Sequence, residues 1–230
     1  MSSSFEQFEA GALDAGFICG LPYVELARRN PSPVELLAAP VLVGERYGGR
    51  PIYFSDVIVR RERSFRSRTD LRGCSWAYND AWSQSGYNVV RYRLKEMGVT
   101  GEYFSRVIEI GWHQESIRQV CAGWIDASAI DSQVLAVELR NYPELAAQIR
   151  IIDTLGPSTI QPVVAGRHLG VDLKAGIRSA LLQIGTDPAT RTELAAGFID
   201  CFVAIANSSY NDIRAMWLAT EETGLLAPSE

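Results

Sequence analysis

Apolar residues fall in short runs whose spacing changes character twice along the chain. Residues 1–60 predict a helical start over 5–10, a short apolar run over 13–18 and a helix over 22–29. Two runs that read as strands follow, 34–43 and 53–60, flanking Gly44-Glu-Arg-Tyr-Gly-Gly-Arg-Pro51. The glycines and proline of that segment suit a turn, so the two runs are expected to pair as an antiparallel hairpin with a long loop.

From Leu71 the rhythm becomes strand, helix, strand. Strands are predicted over 74–79, 107–110, 125–130 and 149–152, with helices over 85–97, 115–122 and 133–140 between them. Val90, Leu94 and Met97 share one helical stripe, Gly98 and Gly123 stand where helices end, and Pro143 stops the third. This alternation predicts a parallel sheet covered on both faces. After Gly156-Pro157 comes one more short run, 163–165, and then only helices are expected. Asp187-Pro188 reads as an N-cap with proline at the first helical position, and Asn207 or Ser208 can cap a helix carrying Ile213, Met216 and Trp217. A tail with no strands left to pair among themselves packs back on the N-terminal segment. The expected organisation is therefore two lobes, one of 1–60 with 161–230 and one of 61–160, joined by crossings near 61–70 and 157–162.

Composition narrows the function classes. The 230 residues carry 22 Lys and Arg against 27 Asp and Glu, a net charge of −5, with no basic run, so a nucleic-acid partner is not expected. No stretch reaches the roughly 20 apolar residues that cross a bilayer, and the folded product is expected to be soluble. Residues 1–10 lack the basic start and apolar core of an export signal; taken as it stands, the chain reads as cytoplasmic. Cys19, Cys74, Cys121 and Cys201 are scattered, with no CxxC pair, and are expected as buried fillers. His113 and His168, the two histidines, have no second ligand at helical spacing, so neither a metal nor a cofactor is expected.

In open α/β sheets ligands sit beyond the carboxyl ends of strands, where the next helix begins. Three such places carry polar groups: Asp80-Ala-Trp-Ser-Gln-Ser-Gly-Tyr87, Gly111-Trp-His-Gln-Glu-Ser116 and Asp131-Ser132. Unpaired N–H groups and the positive end of a helix dipole make an anion site without lysine or arginine, and Ser83, Ser85 and His113 would add donors. Asp131 repels an anion unless the anion carries a proton. A protonated phosphoryl oxygen can donate to it, whereas sulfate near neutral pH cannot. The alternative is that Ser83, Ser85 and Asp131 are helix caps and His113 an ordinary core or surface histidine.

Asp70-Leu-Arg-Gly73, Tyr78-Asn-Asp80, Ser83-Gln-Ser-Gly-Tyr87, Gly111-Trp-His-Gln114 and Ala129-Ile-Asp-Ser132 resemble, in order, motifs of the phosphate/phosphite/phosphonate ABC-transporter substrate-binding proteins. Gly16-Phe-Ile-Cys-Gly-Leu-Pro-Tyr-Val24 and Tyr53-Phe-Ser-Asp56 are similar to that family's first-lobe motifs. The resemblance implies an α/β fold of the two-lobed type II periplasmic binding protein kind, closing over a ligand at the hinge. It also implies oxyanion binding by Ser83, Gln84, Ser85, Gly86 and His113, a proton-accepting Asp131, and Tyr23 and Tyr53 approaching from the other lobe. Gln84 stands where the family usually has a small residue or threonine, and Trp112 where it commonly has a small one such as serine. With Trp82 close by, these indoles line the pocket and stack on an organic substituent, or else they fill it. Family members carry an export leader, a strand and most of a helix ahead of the segment matching 11–18. The first lobe is therefore expected to lack its N-terminal strand, with an open edge that invites a homo-oligomer.

The function this implies is capture of phosphate, phosphite or a phosphonate between two lobes for a membrane permease, outside the cytoplasm. The alternative is a cytoplasmic anion sensor of the same fold that signals to a protein partner. A hydrolase using Ser85, His113 and Asp131 as a triad is disfavoured, because the serine lacks a GxSxG elbow.

Overall fold

A computed structural model describes residues 4–228. The first stretch holds α1 (Ser4–Glu9), β1 (Ala15–Phe17), α2 (Gly20–Ala27) and β2 (Val34–Leu42). Then come β3 (Ile52–Arg60), β4 (Ser75–Tyr78), α3 (Val89–Glu96), β5 (Arg106–Glu109), α4 (His113–Ala122), β6 (Ala127–Asp131), α5 (Ser132–Asn141), α6 (Leu145–Gln148) and β7 (Ile149–Thr159). The remainder holds β8 (Val163–Gly166), α7 (Val171–Gln183), α8 (Pro188–Ala196), β9 (Ile199–Val203) and α9 (Asn211–Thr220). The chain divides into two compact units, 1–52 with 158–214 and 53–157 with 215–230.

The first unit is built on a four-stranded sheet in the order β1-β8-β2-β9, antiparallel at each pairing. Leu37, Ala38, Val163, Ala165 and Phe202 form its core, and α7 covers them with Ile177 and Leu181.

The second unit is a five-stranded mixed sheet in the order β5-β4-β6-β3-β7. β4 runs parallel to β5 and β6, while β3 is antiparallel to β6 with Ser55 opposite Asp131. Side chains alternate across a strand, and the two faces divide accordingly. Val57, Val59, Trp76, Tyr78, Ala127 and Ala129 face a core shared with Val89, Val90 and Leu94 of α3. Ile58, Ala77 and Ile130 face the other core, filled by Ile117 and Val120 of α4 and Leu135 of α5. Helices on both faces of a parallel centre is the arrangement the alternation predicts.

Three expectations are corrected. The hairpin does not form: β2 has β8 on one edge and β9 on the other, so no edge is left for β3, which pairs with β6 instead. Tyr53 therefore belongs to the second unit, and the unit boundary falls at 52/53 rather than after residue 60. A strand, β9, interrupts the expected all-helical tail. Gly197 ends α8, and Phe198, at φ 56°, turns the chain so that 199–203 pairs along the open edge of β2. Residues 215–230 also belong to the second unit, not with the N-terminal segment.

Candidate functional site

The carboxyl ends of β4, β5 and β6 bring the expected groups to one end of the second unit's sheet. Past Tyr78 the chain ties to the neighbouring strand: Ile110 donates to the Tyr78 carbonyl and Gly111 to the Asn79 carbonyl, both at 2.8 Å. Gly111, at φ 98°, makes the turn that starts α4, a conformation costly for any residue with a Cβ.

The segment expected to open as an α-helix at residue 85 first makes a π-turn, Gln84–Asn88, before α3. Asn88 N–H reaches the Ser83 carbonyl at 2.9 Å, and Ser83 Oγ accepts from Gly86 N–H at 3.0 Å, so Ser83 does cap the turn. Such turns recur at functional sites because the widened ring re-aims side chains. Here it directs Ser85 at α4: Ser85 Oγ lies 2.9 Å from His113 Nε2 and 3.5 Å from Ser83 Oγ. A side chain at Gly86 would put its Cβ 2.0 Å from Asn79 Oδ1, so any other residue lets the turn lie this close to β4 only by pushing the Asn79 side chain aside. Asn79, inside a motif singled out from the sequence but with no role assigned to it, is thus part of the site's frame.

His113 is the first residue of α4 and is buried. Burial alone pushes its pKa down from 6.5 to about 4, so the ring is neutral at pH 7. Its Nδ1 is buried without a hydrogen-bond partner among the described residues. If the ring proton sits on Nε2 it goes to Ser85 Oγ, leaving the serine O–H to donate elsewhere; if it sits on Nδ1, that N–H is the spare donor. In either tautomer the pair keeps one donor for a guest.

Asp131 ends β6 and is 2% exposed. It is the N-cap of α5, its Oδ1 accepting from Gln133 N–H at 2.7 Å and Val134 N–H at 3.3 Å. The Ser132 hydroxyl accepts from Phe54 N–H at 3.1 Å, which brings the start of β3, and Tyr53 with it, to this end of the sheet. The triad geometry is absent: Ser85 meets His113, but Nδ1 of that histidine has no carboxylate among the described residues.

Gln84 turns inward, fully buried, its Oε1 accepting from Asn88 at 2.7 Å and its Nε2 3.2 Å from Met216 Sδ. Trp82 is 44% exposed and stacks on Trp217 of α9 with centroids 5.8 Å apart and planes at 27°. Trp217 is a partner that no sequence signal pointed to, because 135 residues separate the two rings. Trp112, the N-cap residue of α4, is 74% exposed and caps nothing with its side chain.

Tyr23 lies in α2 of the first unit, where its hydroxyl donates to Asn207 Oδ1 at 2.8 Å and its ring tilts against Tyr210 at 4.6 Å. Burial pushes its pKa up to about 12, a shift opposed by the Arg214 charge. No cluster of three or more His, Cys, Asp and Glu side chains that could hold a metal occurs among the described residues, nor is any helix among them long and apolar enough to cross a membrane.

Comparison with known proteins gives these features a context. A family model described as the periplasmic substrate-binding protein of phosphonate ABC transporters matches residues 2–210. The fold is similar to that of PhnD1 from Prochlorococcus marinus, solved with methylphosphonate (19% identity, 95% of this chain and 82% of that one, TM-score 0.83). It is also similar to a binding protein component of an ABC phosphonate transporter from Pseudomonas aeruginosa (19%, 94% and 72%, TM-score 0.82). XAC2383 from Xanthomonas citri, solved with ATP, has the same fold (19%, 94% and 81%, TM-score 0.71).

Proposed function

The chain belongs to the family of periplasmic substrate-binding proteins of phosphonate ABC transporters, and on that premise we propose that it captures a phosphorus oxyanion for a membrane permease. Members of this family are transport proteins rather than enzymes, work with permease components and share the two-lobed type II periplasmic-binding-protein fold. What carries the ligand class is the neutral donor pair at the strand ends, Ser85 Oγ and His113 Nε2 at 2.9 Å, beside Ser83 Oγ. The ten-residue helices α4 and α5 both begin at this end of the sheet and add the positive ends of their dipoles. A tetrahedral oxyanion needs several convergent donors; the one the Ser85–His113 pair keeps, the Ser83 hydroxyl and the start of α4 are the candidates, none of them a lysine or arginine.

The buried Asp131 sets the protonation state the site accepts. A guest with a P–OH group donates to the carboxylate, while a fully ionised anion meets only repulsion. Methylphosphonate and ATP, the ligands solved with two of the structural neighbours, share the phosphorus oxyanion and little else. The working location proposed for this chain is extracytoplasmic, as for its family.

A thermal-shift panel of phosphate, phosphite, methylphosphonate and sulfate tests the proposal. A ligand at a hundredfold excess over Kd adds about 2.7 kcal/mol to native stability, so binding shows as a raised melting point. A phosphorus oxyanion is expected to raise it and sulfate is not. Ser85→Ala is expected to weaken the phosphorus ligand by roughly tenfold or more, the worth of a lost hydrogen bond to a charged group. Asp131→Asn is expected to narrow the gap between phosphorus oxyanions and sulfate. A panel in which sulfate does as well as phosphonate would remove the assigned chemistry.

A further inference from the structure

Two exposed indoles stand one residue ahead of the two groups that make the donor pair's frame. Trp82 precedes Ser83, and Trp112 precedes His113. Packing accounts for only part of either placement. Trp112 occupies an N-cap, a position suited to Ser, Thr, Asp or Asn, and its ring is 74% exposed. Trp82 keeps 44% of its surface exposed although a stacking partner holds it.

That partner is itself braced. Trp217 has the Arg91 guanidinium 5.7 Å from its ring, and Arg91 in turn lies 5.1 Å from the Tyr87 ring of the π-turn. Arg91 is 4% exposed and donates to the Thr220 carbonyl and, at 2.9 Å, to the Thr223 carbonyl. The Trp82 backbone is fixed as well, its N–H donating to Asp80 Oδ1 at 2.6 Å. The result is a braced, partly exposed aromatic pair whose first ring is the next residue in sequence to the Ser83 cap of the π-turn. A pair of this kind loses little conformational entropy when a flat apolar group lies on it.

We propose that the phosphonate this site prefers carries a planar aromatic substituent, held by stacking on the Trp82–Trp217 pair and on Trp112 while the phosphonate head meets Ser85 and His113. The inference rests on the phosphorus-oxyanion function proposed above and adds the class of organic group. A stacking contact is worth about a two- to tenfold gain in affinity per ring beyond the area it buries.

Isothermal titration with phosphate, methylphosphonate, an aminoalkylphosphonate, phenylphosphonate and benzylphosphonate tests it. Phenyl- or benzylphosphonate is expected to bind at least tenfold more tightly than methylphosphonate. Trp82→Ala and Trp112→Ala are each expected to reduce that advantage while leaving methylphosphonate affinity unchanged, and Trp82→Phe, which keeps a stacking face, retains most of it. Melting curves of each variant confirm that the second unit stays folded. Three outcomes overturn the inference: equal affinity for methyl- and arylphosphonates, a stronger preference for the aminoalkyl compound, or a Trp82→Ala loss shared equally by all ligands. If no compound in the panel binds, the phosphorus-oxyanion function fails and the inference with it; if methylphosphonate binds and the aryl compounds do not, only the inference fails.

Discussion

The two ends of the second unit's sheet use burial for opposite purposes. At the carboxyl ends of β4 to β6, the buried groups include Ser83, Ser85, His113 and Asp131, and two polar atoms there, His113 Nδ1 and Asn79 Oδ1, are buried without a partner among the described residues. At the other end the loop before β5 and the segment 222–228 surround a cavity of about 950 Å³ bordered by Leu94, Tyr103, Phe104, Leu225 and Leu226. Phe104 stacks on Trp76 with centroids 4.6 Å apart, and Arg72 lies 4.7 Å over the Tyr103 ring. Buried polar atoms without a partner among the described residues occur near the apolar end as well, Trp76 Nε1 and Arg68 Nη1 among them, so what separates the two ends is the hydroxyl, imidazole and carboxylate groups gathered at the first. The apolar end holds the sheet together, and the polar end is where the stability so gained can be given up for ligand chemistry.

If that division is right, the largest effect on stability comes from the apolar end and leaves binding alone. Phe104→Ala is expected to destabilise the unit by about 3–5 kcal/mol, as for other buried aromatic truncations, with phosphonate affinity of the folded protein unchanged. Chemical denaturation paired with calorimetric titration checks this; a matching loss of affinity would break the division. Next in size is the acid response of the polar end. His113 has a folded pKa of about 4 against an unfolded value of 6.5, so between those values the unfolded chain takes up the proton first. Its stabilising contribution is complete above about pH 6.5 and is lost as pH falls toward 4, in all about 3 kcal/mol. His113→Gln is expected to flatten that part of the pH profile of the urea midpoint. An unaltered profile would place the acid sensitivity elsewhere. The smallest effect is that of Gly86→Ala, where a Cβ 2.0 Å from Asn79 Oδ1 forces the side chain of Asn79 aside. A cost of about 1–3 kcal/mol is expected, together with a loss of phosphonate affinity that Phe104→Ala does not show. A stability loss without that affinity loss would make the close approach of the turn to β4 a matter of packing alone.

Local signals were enough for much of this unit. The short runs that became β4, β5 and β6, the helix stop at Gly123, which takes φ 76°, and the strand-end positions of Ser83, Ser85, His113 and Asp131 all follow from residue order and turn chemistry. What could not be read was anything set by strand partners distant in sequence. The runs at 34–43 and 53–60 are strands, but their proximity suggested a pairing that β8 and β9 forestall, and Tyr53 was misplaced with them. Met216 and Trp217 were visible as a helical stripe, yet the contacts that give them meaning, to Gln84 and Trp82, lie more than 130 residues back. The π-turn also left no mark, since its hydrogen bonds differ from those of an α-turn by one residue of register.

Leu225 and Leu226 sit in the same core as Trp76 and Val90, and the first unit draws its strands from both sides of residue 100. A growing polypeptide therefore cannot complete either half from what has already been made. β2 waits for β8 and β9, and the face around Trp76 waits for Leu225 and Leu226, far along the chain. Closing such long loops carries an entropic cost that only the full set of contacts repays, so consolidation of both cores comes late in folding.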